Sequence, residues 1–485
     1  MKPESRISPL LKSILLLSGI IISGICWYAS CGLTGGFWYL LWLAPVPVLL
    51  ISLRVLAGKA FMVAFVAFLI GRLSWLGYLF SVVPPLLAIM FTLILPLVFA
   101  VIIVLVRKIM LNSKSWTAVF AFPVLWVTFE WLAFMFSRDG TIGSLAYTQA
   151  EFLPLVQIAS VTSILGHSFV VTLMPSAIAL AWHLRKNNAA QYPLIVASSL
   201  IVSMAILFGL IRLQKERPNS SLTVGLVVVD KKIYENVYDP GFENEMRIAG
   251  LHIAEIERLA SQGAKLVVLA EKAIPVTDSS DPFITRMFTD AARKNKVAIV
   301  AGYTRIKNGY FENTALVISP EGRVMADYRK VNLFEGEAYE GFRSGKEPGL
   351  FSLNGVPSGV AICKDLDFEG YIRKYNKGSL EILYVPAWDF TADGWLHSRM
   401  AIMRGVENGY DIVRVAQEGR LTISDNRGRI LREEKSQAGQ TVVMSGIAPL
   451  GKEATIYSQT GDWFAWVNLA VALLFLSSLI WKRTK

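Results

Sequence analysis

Between Leu10 and Leu213 the chain is a succession of apolar blocks, each close to the ~20 residues that carry an α-helix across a bilayer. With 53% hydrophobic and only 18% charged residues, it is too apolar to be uniformly soluble. From Ser221 to about Ile447 charge becomes denser and the periodicity mixed, and a last apolar block runs from Trp463 to Trp481. The pattern predicts a membrane protein with one large aqueous domain inserted before its final span. Spans are expected at 10–30, 37–53, 60–82, 86–106, 115–136, 156–182, 193–213 and 462–481, about eight in all. The first looks like the apolar part of a signal peptide. No small-residue cleavage site stands out after it and further spans follow, so it is read as retained. The expected units are a helical membrane domain over 1–215, an aqueous domain over 221–450, and a last span with its tail over 461–485.

Lys and Arg in the short loops set the orientation. One side collects Lys2, Arg6 and Lys12, then Arg54 and Lys59, then Arg107, Lys108 and Lys114. The same side takes Arg185 and Lys186, and finally Lys482, Arg483 and Lys485. The alternate loops are almost uncharged, apart from Arg138 offset by Asp139 and Glu151. This predicts cytoplasmic termini and an aqueous domain on the opposite face. The net charge of +11 therefore needs no nucleic-acid partner, and no basic stripe with interleaved aromatics is present. Of the three cysteines, Cys26 and Cys31 end the first span and read as packing residues, five positions apart on a helix. Cys363 has no partner in its own domain.

After the polar linker Glu216–Ser221, strand-like and helix-like segments alternate. Strand-like runs include "LTVGLVVVD", "AKLVVLAEKAIP", "KVAIVAGYTRI", "SGVAICKD", "LEILYVPAWDF" and "YDIVRVAQ". Helical spacing marks about 244–262, 281–295 and 394–408, and hairpins turn at Ser319–Gly322 and around "DNRGR". The order implies an α/β domain with a mixed sheet. Three polar residues each stand at the far end of an apolar strand or hairpin: Glu271, Lys330 and Cys363. Together they could supply a base, an oxyanion-stabilising cation and a nucleophile, the minimum for acyl transfer through a thioester. Taken singly, each also reads as a solvated Glu, a solvated Lys or a core Cys. With only four histidines, two in or beside spans, a Cys–His protease or a zinc site is poorly supplied.

The order Glu271, Lys330, Cys363 resembles the carbon–nitrogen hydrolase (nitrilase) superfamily, and the surrounding spans narrow the likeness to its membrane-embedded apolipoprotein N-acyltransferase family. The similarity covers nearly the whole chain. "AEKAIP" is similar to the family segment that carries the base, "YRKVNLFEGE" to its lysine segment, and "VAICKDLDF" to its nucleophile segment. "HSRMAIMRGVE" matches the family spacing through His397, Met400, Ala401, Arg404 and Glu407. "WVTFEWL" and "LPLVQIASVTSILG" resemble family segments in the membrane half. The departures are Leu269-Ala270 before the base, Lys364-Asp365 after the nucleophile, "PAWDF" around Trp388, and a lysine-to-glutamate spacing one residue short.

The resemblance implies a multi-pass helical membrane domain joined to a nitrilase-like α/β sandwich. It implies transfer of an acyl chain from a membrane phospholipid, through a thioester on Cys363, to the N-terminal amine of a diacylglyceryl-cysteine lipoprotein. It places the catalytic residues at Glu271, Lys330 and Cys363, with no cofactor and no metal. Supporting roles are expected for Glu337, which orients Lys330 or assists proton transfer, and for Asp365 as the carboxylate after the nucleophile. Lys364 is expected to favour the thiolate. Trp388 and Trp395 are expected to line the acyl entrance, and His397 to orient the loop carrying Trp388 or simply to sit on a helix face. Arg404 and Glu407 complete the set. A monomer in a bacterial inner membrane, with the catalytic domain on the periplasmic face, is expected. Arg72 and Glu130 lie inside spans, where a charge is costly unless paired or wet. They read either as a polar patch near the headgroups or below the catalytic pocket, or as a buried structural pair. Rival classes are a membrane-anchored amidase that hydrolyses its own thioester and, more remotely, a transporter.

Overall fold

The computed structural model describes residues 8–112, 115–185, 188–216, 220–230 and 241–481. Of the charges that set the orientation, Lys2, Arg6, Lys114, Lys186, Lys482, Arg483 and Lys485 lie outside the described residues. Seven helices among those described are long and apolar enough to cross a membrane: Pro9–Ser30, Ala57–Val82, Pro85–Asn112, Trp116–Phe136, Leu165–His183, Tyr192–Gln214 and Trp463–Ile480.

The eighth expected span, 37–53, is a shorter broken piece, a 3₁₀ turn Trp38–Trp42 followed by an α-helix Pro45–Ser52. Pro45 accounts for the break, since it lacks an N–H and suits the first position of a new helix. The two ends of this piece are nevertheless held at opposite ends of the bundle. Gln149 Nε2 donates to the Trp38 carbonyl at 3.1 Å, while Arg107 Nε donates to the Ser52 carbonyl at 2.8 Å. The guanidinium groups of Arg54 and Arg185 both sit over the Trp182 ring at that second end, away from the α/β domain. The broken piece is too short to count among the seven spanning helices.

Among the described residues the α/β half contains thirteen strands in two sheets. The first is built from β1 (Ser221–Val228), β2 (Leu266–Leu269), β3 (Ile274–Thr277), β4 (Ala298–Lys307), β5 (Tyr310–Ile318), β6 (Val324–Arg329) and β13 (Val442–Pro449). Its order is β13-β1-β2-β4-β5-β6, with β3 also paired to β4. The second is built from β7 (Gly349–Leu353), β8 (Val356–Val360), β9 (Ile382–Trp388), β10 (Asp411–Gln417), β11 (Arg420–Ser424) and β12 (Ile430–Lys435). Its order is β12-β11-β10-β9-β8-β7. In each sheet the central strands run parallel and the outer hairpins antiparallel. Parallel strands need both faces covered, which explains their near-continuous apolar sequences.

Between the sheets, Val224, Leu226 and Val268 pack against Val360, Ile382 and Val413. Outside the first sheet, helices Phe242–Ser261 and Asp281–Asn295 bury Ile256, Leu259, Ile284 and Phe288. Helix Gly394–Asn408 covers the second sheet. The result is a four-layer α-β-β-α sandwich. It is docked onto the bundle by side chains from both halves. Thr141 donates its N–H and Oγ1 to the Asp367 carbonyl, each at 2.9 Å. Glu151 Oε1 accepts from Trp395 Nε1 and Arg399 Nε, each at 3.0 Å.

Candidate active site

Glu271 follows β2, Lys330 follows β6, and Cys363 opens a 3₁₀ turn just beyond β8. These strand ends converge on one cavity of about 480 Å³, lined by Glu271, Lys330, Glu337 and Cys363. Its facing wall comes from the membrane bundle, through Trp75, Tyr78, Val83 and Phe91. Two sheets deliver the polar groups and the spans supply apolar surface opposite them.

Lys330 is 2% exposed and donates to Glu271 Oε1 and to Glu337 Oε2, both at 2.8 Å. An ammonium has three donors, so one remains for a reacting oxygen. Asn313 Nδ2, on β5, donates to Glu271 Oε1 at 2.6 Å and to Glu337 Oε1 at 2.7 Å, bracing the two carboxylates. Burial works against the Lys330 ammonium, but Glu271 and Glu337 outweigh it and hold the group well above the usual lysine range. Burial likewise opposes the Glu337 carboxylate, yet Lys330 and Lys272 hold it below the usual glutamate range. Glu337 also accepts from the Phe334 N–H at 2.9 Å, which fixes the short helix Glu335–Tyr339.

Cys363 has a backbone φ of 43°, in the left-handed region that β-carbon-bearing residues avoid. Lys272 (52°) and Glu418 (51°) share this conformation and line the same cavity. The turn presents the thiol to the cavity, with Sγ 3.4 Å from the Trp388 carbonyl. Burial and the Glu271 carboxylate push the thiol well above its usual range, against the pull of Lys330. A thiol held in this way would need a base beside it to act as a nucleophile. Behind it, Arg414 on β10 grips Asp389 through Nη1 at 2.9 Å and Nη2 at 2.5 Å.

The supporting residues fall into two groups. Glu337, Trp388 and His397 line the same cavity as Cys363. Trp388 lies under the Lys272 ammonium at 5.2 Å. His397 sits between Asp393 (3.2 Å) and Asp367 (3.5 Å). Burial disfavours its imidazolium, but the two carboxylates raise it well above the usual histidine range. Asp393 Oδ1 accepts from the Phe390 N–H at 2.9 Å, so His397 ties the loop after Trp388 to the end of the nucleophile turn.

Asp365, Arg404 and Glu407 lie off the cavity. Asp365 is fully buried and accepts from Tyr328 Oη (2.6 Å), the Ile362 N–H (3.0 Å) and the Asn332 N–H (2.8 Å). It clamps the nucleophile turn to the lysine segment, and burial pushes it up to about 6. Arg404 meets Glu407 at 2.8 Å, Glu369 at 3.5 Å and Tyr147 Oη at 2.7 Å, inside the seam between the halves. Trp395 lines a neighbouring cavity rather than the one that holds Cys363. Lys364 departs from its expected role: its ammonium turns to Asp139 of the membrane half, 2.7 Å away. Asn313, Asp389, Arg414 and Lys272 escaped the sequence reading. Asn313 is hidden between Glu312 and Thr314 on β5, Arg414 and Asp389 are single polar residues within β10 and just after β9, and Lys272 is masked by its neighbour Glu271. Among the described residues, no cluster of His, Cys, Asp and Glu is arranged to hold a metal ion.

A two-sheet sandwich that presents Glu, Lys and Cys to a cavity roofed by membrane helices defines a membrane-bound enzyme of the carbon–nitrogen hydrolase type. The carbon-nitrogen hydrolase family matches residues 234–452, and the apolipoprotein N-acyltransferase N-terminal domain matches residues 23–177. The apolipoprotein N-acyltransferase of Geobacter metallireducens is 27% identical over 92% of this chain and 91% of its own length. That of Rickettsia prowazekii is 24% identical over 77% of this chain and 78% of its own length. A 2-oxoglutaramate amidase of Bacillus subtilis is 30% identical over 36% of this chain and 66% of its own length, a match too short to reach both halves. The chain belongs to the apolipoprotein N-acyltransferase family, and it is an N-acyltransferase seated in a bacterial membrane.

Proposed function

We propose that this chain moves an acyl chain from a membrane phospholipid to the N-terminal amine of a diacylglyceryl-cysteine lipoprotein, in two half-reactions at Cys363. The observation that carries the reading is the single cavity in which Glu271, Lys330 and Cys363 face a wall of membrane helices. Glu271 takes the thiol proton as sulfur attacks the lipid ester carbonyl. Lys330, with its third donor free and the backbone N–H groups after Cys363 beside it, stabilises the oxyanion. The carbon–oxygen bond breaks, the proton passes from Glu271 to the departing lysophospholipid oxygen, and a thioester remains. The acceptor amine then attacks the thioester carbonyl, and Glu271 takes a proton from the attacking nitrogen. The carbon–sulfur bond breaks, and the proton returns to the Cys363 thiolate. Glu337, Asn313 and Lys272 keep Lys330 and Glu271 in register throughout.

The membrane wall has a physical purpose. Lifting an acyl chain out of the bilayer costs ~0.8 kcal/mol per CH₂, and an apolar wall beside the thiol avoids most of that cost. We further propose that residues 1–215 and 461–485 embed the enzyme in the inner membrane and that 221–450 performs the chemistry on the periplasmic face. The location of Arg54, Arg107 and Arg185 at the bundle end remote from the sandwich supports this orientation. The protein is proposed to act as a monomer. The test is product analysis with an acyl-labelled phospholipid. Transfer to an N-terminal diacylglyceryl-cysteine peptide, with little free fatty acid, is expected. Free fatty acid as the main product, with or without that peptide, would make it an amidase-type hydrolase instead.

A further inference from the structure

Beside the catalytic cavity lies a second one of about 250 Å³, sharing Trp75, Leu79, Phe91, Asp139 and Ile142 as wall. Its lining is aromatic and aliphatic except for a few polar groups, chief among them Arg72 and Glu130. Arg72 is 8% exposed and Glu130 3%. The expectation of a buried Arg72–Glu130 pair is not met. Among the described residues, Arg72 makes no ion pair and no side-chain hydrogen bond, and its Nε is unpartnered. Its guanidinium rests on the Trp75 ring at 4.6 Å. Glu130 Oε1 accepts from the Leu145 N–H at 2.9 Å and Ser144 Oγ at 3.3 Å, whereas Oε2 makes no hydrogen bond, although the Ser168 hydroxyl and the Trp126 N–H, both also unpartnered, lie close to this carboxyl.

A buried guanidinium without a carboxylate is costly inside a membrane protein unless something else completes it. A planar fork of donors on an aromatic shelf suits phosphate oxygens in particular. The free oxygen of Glu130, in the same cavity, suits a hydroxyl or ammonium donor. The depth also fits, because Arg72 lies beside Cys31, where the first span ends, and Glu130 is anchored to the loop at the sandwich end of the bundle. We propose that this second cavity is a headgroup subsite, in which Arg72 binds the phosphate of a glycerophospholipid and Glu130 accepts from a donor beyond that phosphate. The proposal rests on the acyl-donor reading above and makes Arg72 a specificity-determining residue for the donor.

The test uses the full-length protein in detergent, carrying Cys363→Ala so that no turnover occurs, and native mass spectrometry to compare bound lipids. The probes are dioleoyl-phosphatidylglycerol, dioleoyl-phosphatidylmethanol and dioleoylglycerol. Phosphatidylglycerol is expected to bind about tenfold or more tighter than dioleoylglycerol. Arg72→Met should erase that preference and Arg72→Lys retain part of it. Glu130→Gln should weaken phosphatidylglycerol but leave phosphatidylmethanol, which has no donor beyond its phosphate, unchanged. An undiminished preference in Arg72→Met overturns the proposal. So does displacement of phosphatidylglycerol by inorganic phosphate alone, which would mark a free-anion site. Should Arg72→Met fail to fold, full retention of the preference by Arg72→Lys, together with no effect of Glu130→Gln, counts equally against it. This binding readout needs no chemistry at Cys363, so it decides the subsite even where acyl transfer itself fails. In enzyme with Cys363 intact, Arg72→Lys should raise KM for the phospholipid donor and leave KM for the amine acceptor unchanged.

Discussion

The cluster around Lys330 and the cluster around Arg404 are both buried, and each joins a cation to two carboxylates. Lys330 meets Glu271 and Glu337, while Arg404 meets Glu407 and Glu369. Their electrostatics diverge. In the first, Lys272 adds a second cation 3.3 Å from Glu337, and the two ammonium groups hold that carboxylate low despite burial. In the second, Arg404 serves both acids and Arg373 adds a weaker pull on Glu369, but burial outweighs them, and Glu369 and Glu407 are raised. One cluster faces a cavity, and its Lys330 ammonium and Glu337 carboxylate stay charged. The other is closed into the seam, where Glu407 also accepts from the Ile164 N–H of the membrane half at 3.0 Å. Similar charge patterns therefore face a cavity in one place and close into the seam in the other, and access to the cavity separates them.

Substitutions can break that contrast. The largest effect is expected for Cys363→Ala, which should lower acyl transfer by about 10⁴-fold or more while leaving a folded, membrane-inserted protein. Glu271→Gln should follow, with a loss of about 10²–10⁴-fold in turnover and normal extraction from the membrane. Arg404→Ala should reverse the pattern. Leaving two buried acids without their cation is expected to cost about 3–5 kcal/mol of stability, read by thermal unfolding, while turnover per folded molecule stays near normal. A pH series sharpens the comparison further. The folded values of Glu369 and Glu407 are raised, to about 7 and about 8, above the ordinary glutamate value. Their contribution to stability is thus complete below the ordinary value and lost as pH rises through 7 and 8. Thermal stability should fall from pH 6 to pH 9, and Glu407→Gln should blunt that fall. The smallest effect is expected at Lys364–Asp139, where Asp139 is half exposed, and Asp139→Asn should cost only about 0.2–1 kcal/mol.

That Glu271, Lys330 and Cys363 belong together was legible because each ends an apolar run, where a polar residue has no packing reason to be. The membrane character was legible from the length of those runs. Other features depend on contacts that sequence spacing does not encode. Asn313 sits within a strand whose neighbours conceal it, and only the fold brings it to Glu271, 42 positions earlier. Lys364 looked like a partner for the adjacent thiol, but its ammonium reaches 225 positions back, to Asp139. Asp365 looked like a cavity carboxylate, yet a 3₁₀ turn at Cys363 points it inward to Tyr328. Arg404 and Glu407 showed their three-residue helical spacing, but not that Tyr147 and Ile164 would close over them. The broken piece at Trp38–Ser52 was marked by its prolines, and its apolar composition alone read as an unbroken span.

The decisive measurement is on the sulfur itself. Protein purified from its native membrane without an added amine, digested and analysed by mass spectrometry, should carry a fatty-acyl mass on the peptide containing Cys363. That mass should disappear with hydroxylamine or with an N-terminal amine acceptor, and be missing in Cys363→Ala. An unmodified Cys363 peptide from enzyme that is still transferring acyl chains, or an acyl mass that persists in Cys363→Ala, would contradict a covalent route through this residue.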